Sequence, residues 1–120
     1  MIEHKIHIFE SLRLDVQKKG DTLVVQWLGK STAREPILFL EPFFKKMLLS
    51  QETTFEMDFK NLTLLNSSTI TPIVKLLIAV NNSNKKILVK YDTNKKWQEL
   101  NFSALMIFQK NDGKVQIIAE

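Results

Sequence analysis

A change of period at the centre of the chain limits what it can fold into. Phe55, Met57 and Phe59 alternate with Glu56 and Asp58, which is the period of a strand with one face in a core. From Ile70 the spacing turns helical, with Ile70, Ile73, Val74, Leu77 and Val80 at intervals of three and four residues. Between the two lie Lys60-Asn61, an apolar run Leu62-Thr63-Leu64-Leu65, and four consecutive small polar residues, Asn66-Ser67-Ser68-Thr69. The segment reads as strand, short loop and helix. The apolar run holds the polar cluster against the domain body, and Ser67, Ser68 and Thr69 stand at the start of the helix.

Helix N-termini leave backbone N–H groups unpaired, and Asn, Ser and Thr side chains accept hydrogen bonds from them. One cap residue suffices, and Thr71-Pro72 offers a second cap with proline at the first helical position. If the helix starts earlier, Pro72 removes an early intrahelical bond and disfavours helical geometry at Thr71, so an irregular first turn is expected. Four polar residues are more than a cap needs. A hydroxyl at this place can carry a phosphate, whose charge a helix N-terminus favours.

The run from Asp58 to Ile70, Asp-Phe-Lys-Asn-Leu-Thr-Leu-Leu-Asn-Ser-Ser-Thr-Ile, resembles the signature of STAS domains, the anti-sigma-factor antagonist family. There a strand and a loop of the form Asp-Ser-Ser-Gly lead into a helix. The resemblance implies a STAS-like α/β fold, a mixed β-sheet with helices packed against it, and a phosphoacceptor at the first serine, which maps onto Ser67, with Ser68 and Thr69 as alternatives. It also implies a partner-binding surface at Asn66, Ser67, Ser68, Thr69, Thr71 and Lys75. The implied partners are a serine kinase that doubles as an anti-sigma-like switch protein and a PP2C-type phosphatase that reverses the mark. Asn66 stands where the family has Asp, and Thr69 where it has Gly. An asparagine before the hydroxyls is similar to the loop of SiaC-type phosphoproteins, whose partner is a cyclic-dinucleotide synthase.

The 120 residues fit a single domain, 1–120, large enough to bury a core without staples. With no cysteine in the sequence, a disulfide framework and a thiolate metal site are excluded. No stretch has the form of a signal peptide or the length of a membrane span, so a soluble cytoplasmic protein without a membrane partner is expected. Seventeen Lys and Arg against 13 Asp and Glu give a net charge of +4. The lysines are spread in pairs without interleaved aromatics, so no nucleic-acid partner is expected. His4 and His7 are spaced for opposite faces of a strand, and two ligands are too few for a closed metal site.

Elsewhere, Leu12, Leu14 and Val16 alternate before the turn Lys18-Lys19-Gly20-Asp21 and the run Leu23 to Leu28, a hairpin of two strands. Gly29-Lys30-Ser31 matches the end of a phosphate-binding P-loop, but Val24 occupies the position of the first glycine, so the segment reads as a plain loop. Residues 36–50 form a helix with Leu40, Phe43, Phe44, Met47 and Leu48 inward and Lys45 and Lys46 outward, and Pro42 kinks it or begins its regular part. Asn81 to Asn84 ends the second helix, and Ile87 to Tyr91 is a strand. Asp92-Thr93-Asn94 caps a brief helix carrying Leu100 and Trp97, the latter a core anchor, with Asn101 closing it. Residues 105–118 suggest a closing hairpin turned by Asp112-Gly113.

Three function classes follow. The first is a phosphoswitched binding module acting through Ser67, and the second is an unswitched scaffold of the same fold. The third, an enzyme, is not expected, because Ser67 has no His or Cys partner in sequence context, there is no Gly-x-Ser-x-Gly elbow, and no carboxylate pair stands out. No cofactor is expected either.

Overall fold

The computed structural model describes residues 5–120, so His4 lies outside the described residues. In chain order the elements are β1 (Lys5–Phe9), β2 (Leu12–Lys19), β3 (Thr22–Ser31), α1 (Ile37–Leu49), β4 (Thr54–Asp58), β5 (Leu62–Leu65), α2 (Ser67–Asn81), β6 (Lys86–Tyr91), α3 (Lys96–Ser103), a 3-10 helix (Ala104–Phe108) and β7 (Val115–Ala119). The strands form one mixed sheet in the order β1-β2-β3-β4-β6-β7, with β5 beside the far end of β3. β1, β2 and β3 are antiparallel through short turns, whereas β3, β4, β6 and β7 run parallel. Parallel neighbours require crossovers, and α1, α2 and α3 supply them.

All three helices cover one face. The inward residues of β2 (Leu12, Leu14, Val16), β3 (Leu23, Val25, Trp27), β4 (Phe55, Met57) and β6 (Ile87, Val89, Tyr91) share one core with Leu40, Phe43, Phe44 and Met47 of α1 and Ile73, Leu76, Leu77 and Val80 of α2. Phe102 of α3 closes this core against the Phe59 and Tyr91 rings, at centroid distances of 4.5 and 5.8 Å. The opposite face is open and carries ion pairs. Lys90 lies 3.4 Å from Glu56 and 3.7 Å from Glu120, and Lys60 lies 2.6 Å from Glu120. Such exposed pairs contribute little to stability.

Several expectations from the sequence are corrected here. The chain has two further strands, β1 and β5, in addition to the alternating segments. The hairpin expected over 105–118 does not form, because Leu105 to Phe108 lies in the 3-10 helix and β7 pairs parallel with β6. Leu105 faces the core while Ile107 is exposed, so this run is apolar without being a strand. Trp97 is half-buried, packing on the core beside Phe102, and the fully buried tryptophan is Trp27. Asp92 accepts from the Asn94 amide and does not cap α3, whose first residue follows Lys95. Asn101 does not close α3, which runs on to Ser103. Pro42 sits inside α1, which begins before it at Ile37.

Candidate functional site

The loop between β5 and α2 is fixed from below by backbone pairing and from within by one asparagine. β3 does not stop at Leu28 as a loop would require, but continues to Ser31. Gly29 makes this possible: its φ is +83°, and a Cβ there would stand 2.3 Å from the Ser11 carbonyl oxygen. Only glycine tolerates both the left-handed backbone and the close approach. The register shifts between Gly29 and Lys30, and beyond the bulge β3 pairs with β5, Ser31 opposite Leu65. The Gly-Lys-Ser match is therefore a strand end that builds the base of the α2 start.

On that base Ser31 meets Thr69. Their hydroxyls lie 2.7 Å apart in the interior, and Thr69 Oγ1 is 2.7 Å from Asn66 Oδ1. Asn66 accepts the Thr69 amide as well, at 3.1 Å, making it the helix cap. Its Nδ2 donates to the Ala33 carbonyl at 2.9 Å, and its own amide donates to the Ser31 carbonyl at 2.9 Å. Both polar ends of Asn66 are thus occupied within the domain. The helix starts at Ser67 and not at a Thr71-Pro72 cap. Its first turn includes a tight bond from the Thr69 amide to the Asn66 carbonyl, and Pro72, lacking an N–H, cannot bond the Ser68 carbonyl. This is the irregular first turn that the sequence implies.

The six residues expected to face a partner divide. Thr69 is fully buried, so the third candidate hydroxyl points into the fold and is corrected to a structural residue. Asn66 is half-buried and serves the cap. Ser67, Ser68, Thr71 and Lys75 are exposed. Ser67, Thr71 and Lys75 are spaced four apart and share one stripe of α2, which continues to the exposed Ile78. Lys75 stands 3.9 Å from Glu41 of α1, over a cleft of about 250 Å³ between the two helices that Phe44, Leu48 and Leu76 help to line. The first turn of α2 carries no acidic residue, so its positive end is not neutralised by its own side chains.

Two residues outside the sequence expectations hold this site. Ser31 falls in phase with Leu23, Val25 and Trp27, and that alternation was its signal. Gln98 of α3 is fully buried; its Nε2 donates to the Phe59 and Leu62 carbonyls at 2.6 and 3.1 Å, and its Oε1 accepts the Asp92 amide at 2.8 Å. It clamps the turn between β4 and β5, and no sequence signal marked it. Among the described residues no group of three His, Cys, Asp or Glu side chains is placed to hold a metal, and no helix is long and apolar enough to cross a membrane.

No protein-family model matches the sequence, and no curated protein resembles it at the level of sequence. Solved structures do resemble it. An anti-sigma factor antagonist from Mycobacterium paratuberculosis superposes with a TM-score of 0.65 at 11% identity, over 88% of this chain and 86% of the other. The activator SiaC, in its complex with the diguanylate cyclase SiaD from Pseudomonas aeruginosa, superposes with a TM-score of 0.63 at 13% identity, over 97% and 99%. An uncharacterised protein with a SpoIIAA-like fold from Shewanella loihica gives 0.57 at 17% identity, over 93% and 88%. The chain has the STAS-like fold.

Proposed function

We propose that this STAS-like domain is a cytoplasmic, non-enzymatic partner-switching regulator whose switch is phosphorylation of Ser67. The observation that carries the reading is the division of the loop. Thr69 and Asn66 are committed to the fold, while Ser67 and Ser68 are exposed on the first turn of a helix without acidic residues. A serine kinase would transfer the γ-phosphoryl of ATP to the Ser67 hydroxyl, which loses its proton. The product carries about −1.5 to −2 charges at pH 7. The helix end favours that charge by about 0.3–1 kcal/mol. A partner surface laid over Ser67, Thr71 and Lys75 meets it as an unmatched charge and is released. A PP2C-type phosphatase restores the binding state.

A second reading keeps the switch and changes the partner. The end-to-end likeness to SiaC and the asparagine ahead of the hydroxyls favour a cyclic-dinucleotide synthase as the protein held by the unmodified form.

The test is mass spectrometry of the protein recovered from its own cells, with co-purifying proteins identified. A single phosphate is expected on Ser67, lost in Ser67→Ala and kept in Ser68→Ala, and Ser67→Asp should fold normally while its partner is released. Loss in Ser68→Ala alone moves the acceptor by one residue. If no form is phosphorylated and Ser67→Asp still holds its partner, the unswitched scaffold replaces this reading. Both readings need a kinase and a phosphatase, so the protein held by the unmodified form decides between them: a kinase held there supports the first, a diguanylate cyclase the second.

A further inference from the structure

The outer edge of β1 and the flank of α1 enclose an apolar groove of about 590 Å³ that shares no residue with the loop at the start of α2. Its floor is made by paired rings, Phe9 stacked on Phe39 at 4.5 Å and His7 edge-on to Phe43 at 5.1 Å. At its rim Leu38 and Leu49 are 69% and 87% exposed. The other face of the same strand leaves Ile6 and Ile8 50% and 70% exposed. An edge strand presents unpaired N–H and C=O groups at every second residue, and native edges are commonly guarded by charge, proline or a covering element. Among the described residues nothing pairs with the outer edge of β1, and apolar side chains stand on both of its faces.

We propose that this edge docks an extended apolar segment of a partner protein, flanked by acidic residues, which adds to the sheet as a further strand beside β1. A single added strand accounts for both sets of exposed side chains. Its alternate residues point to opposite faces, so one set enters the groove while the other covers Ile6 and Ile8. A helix laid in the groove would cover only one set. Charge selects the flanks. Lys45 and Lys46 line the groove and Lys5 lies two residues before His7 on the same face of β1, and among the described residues none of the three has a carboxylate partner. Burial first, and then the ammoniums of Lys5 and Lys46, hold the His7 imidazole below its ordinary pKa. A second copy of the chain would bring the same three ammoniums, and a net charge of +4, against its own. Like charges across an interface disfavour that pairing, and an acidic segment removes the conflict.

The test uses the full chain, isotopically labelled, titrated with a short synthetic peptide of β-branched apolar residues flanked at each end by aspartates. The control is the same peptide flanked by lysines. Amide shifts should cluster on Lys5 to Phe9 and the adjoining flank of α1, and the outward amides of β1 should gain protection from exchange. The exposed double variant Lys45→Glu/Lys46→Glu should bind about fivefold to tenfold more weakly, the size expected of exposed ion pairs. Absence of saturable binding, or shifts centred elsewhere, overturns the proposal, and equal binding of both peptides overturns the acidic partner. Concentration-dependent dimerisation that Ile8→Lys abolishes would assign the edge to a second copy and overturn it as well.

Discussion

The hydroxyls of Ser31 and Thr69, 38 residues apart in the chain, lie 2.7 Å from each other in the interior. Thr69 donates onward to Asn66 Oδ1 at 2.7 Å, so a strand end, a helix start and a helix cap are joined by one chain of hydrogen bonds that ends on the asparagine oxygen. Thr69→Val keeps the shape and removes the relay. It leaves the Ser31 hydroxyl without its partner, and an unpaired buried polar group costs about 1–3 kcal/mol. Chemical denaturation should show a loss of that size. A loss below about 0.5 kcal/mol would mean that the relay does not hold the loop.

Gln98→Leu should be costlier than a surface substitution of equal size. It leaves the Asp92 amide without its partner and takes the side-chain donor from the Leu62 and Phe59 carbonyls, of which Phe59 keeps the Leu62 amide at 3.0 Å; a buried group left unpaired costs about 1–3 kcal/mol, less what water recovers. Amide exchange should quicken from Phe59 to Leu65 ahead of the rest of the sheet. Uniform quickening throughout would show Gln98 to be ordinary packing.

The two tryptophans should separate cleanly. Trp27 is 0% exposed and packs between Phe44 and Phe59, so Trp27→Ala should cost about 3–5 kcal/mol through lost transfer energy and a cavity. Trp97, only partly buried against the core, should cost about 1–3 kcal/mol on the same substitution. The reverse ranking by thermal or urea denaturation would contradict the core described above.

His7 gives the fold a pH dependence. Burial, then Lys5 and Lys46, lower its pKa from 6.5, so between that folded value and 6.5 the unfolded chain binds more protons. The stability it contributes is complete above about pH 6.5 and is lost as the pH falls through the folded pKa. His7→Phe should flatten this part of the stability curve, with the ring still against Phe43. An unchanged slope in that variant would assign the effect to another group.

How much of this was legible follows from geometry. β2, β3, β4 and β6 alternate with one face covered, and α1 and α2 carry apolar stripes, so their periods are written in the sequence. β5 is too short to show a period, and β7 looks like half of a hairpin because Asp112-Gly113 is a true turn that here joins a 3-10 helix to a parallel strand. The burial of Thr69 depends on helical phase. Once the helix is known to begin at Ser67, Thr69 falls in line with Ile73, Leu76 and Val80, but two competing caps leave that phase open from sequence alone. Gln98 bonds to backbone groups more than 30 residues away, a relation that no local pattern records.

The sheet order also sets a timetable. β1, β2 and β3 join sequence neighbours across turns, and such hairpins form in about 1–10 μs. Every pairing from β4 onward must first close a loop that contains a helix, which costs chain entropy before any contact repays it. The base of the α2 start needs β3, β5 and α2 together, so Ser67 and Ser68 acquire their fixed setting only when the domain is nearly complete. An enzyme that recognised that setting, and not the bare sequence, would act on finished molecules and pass over nascent ones.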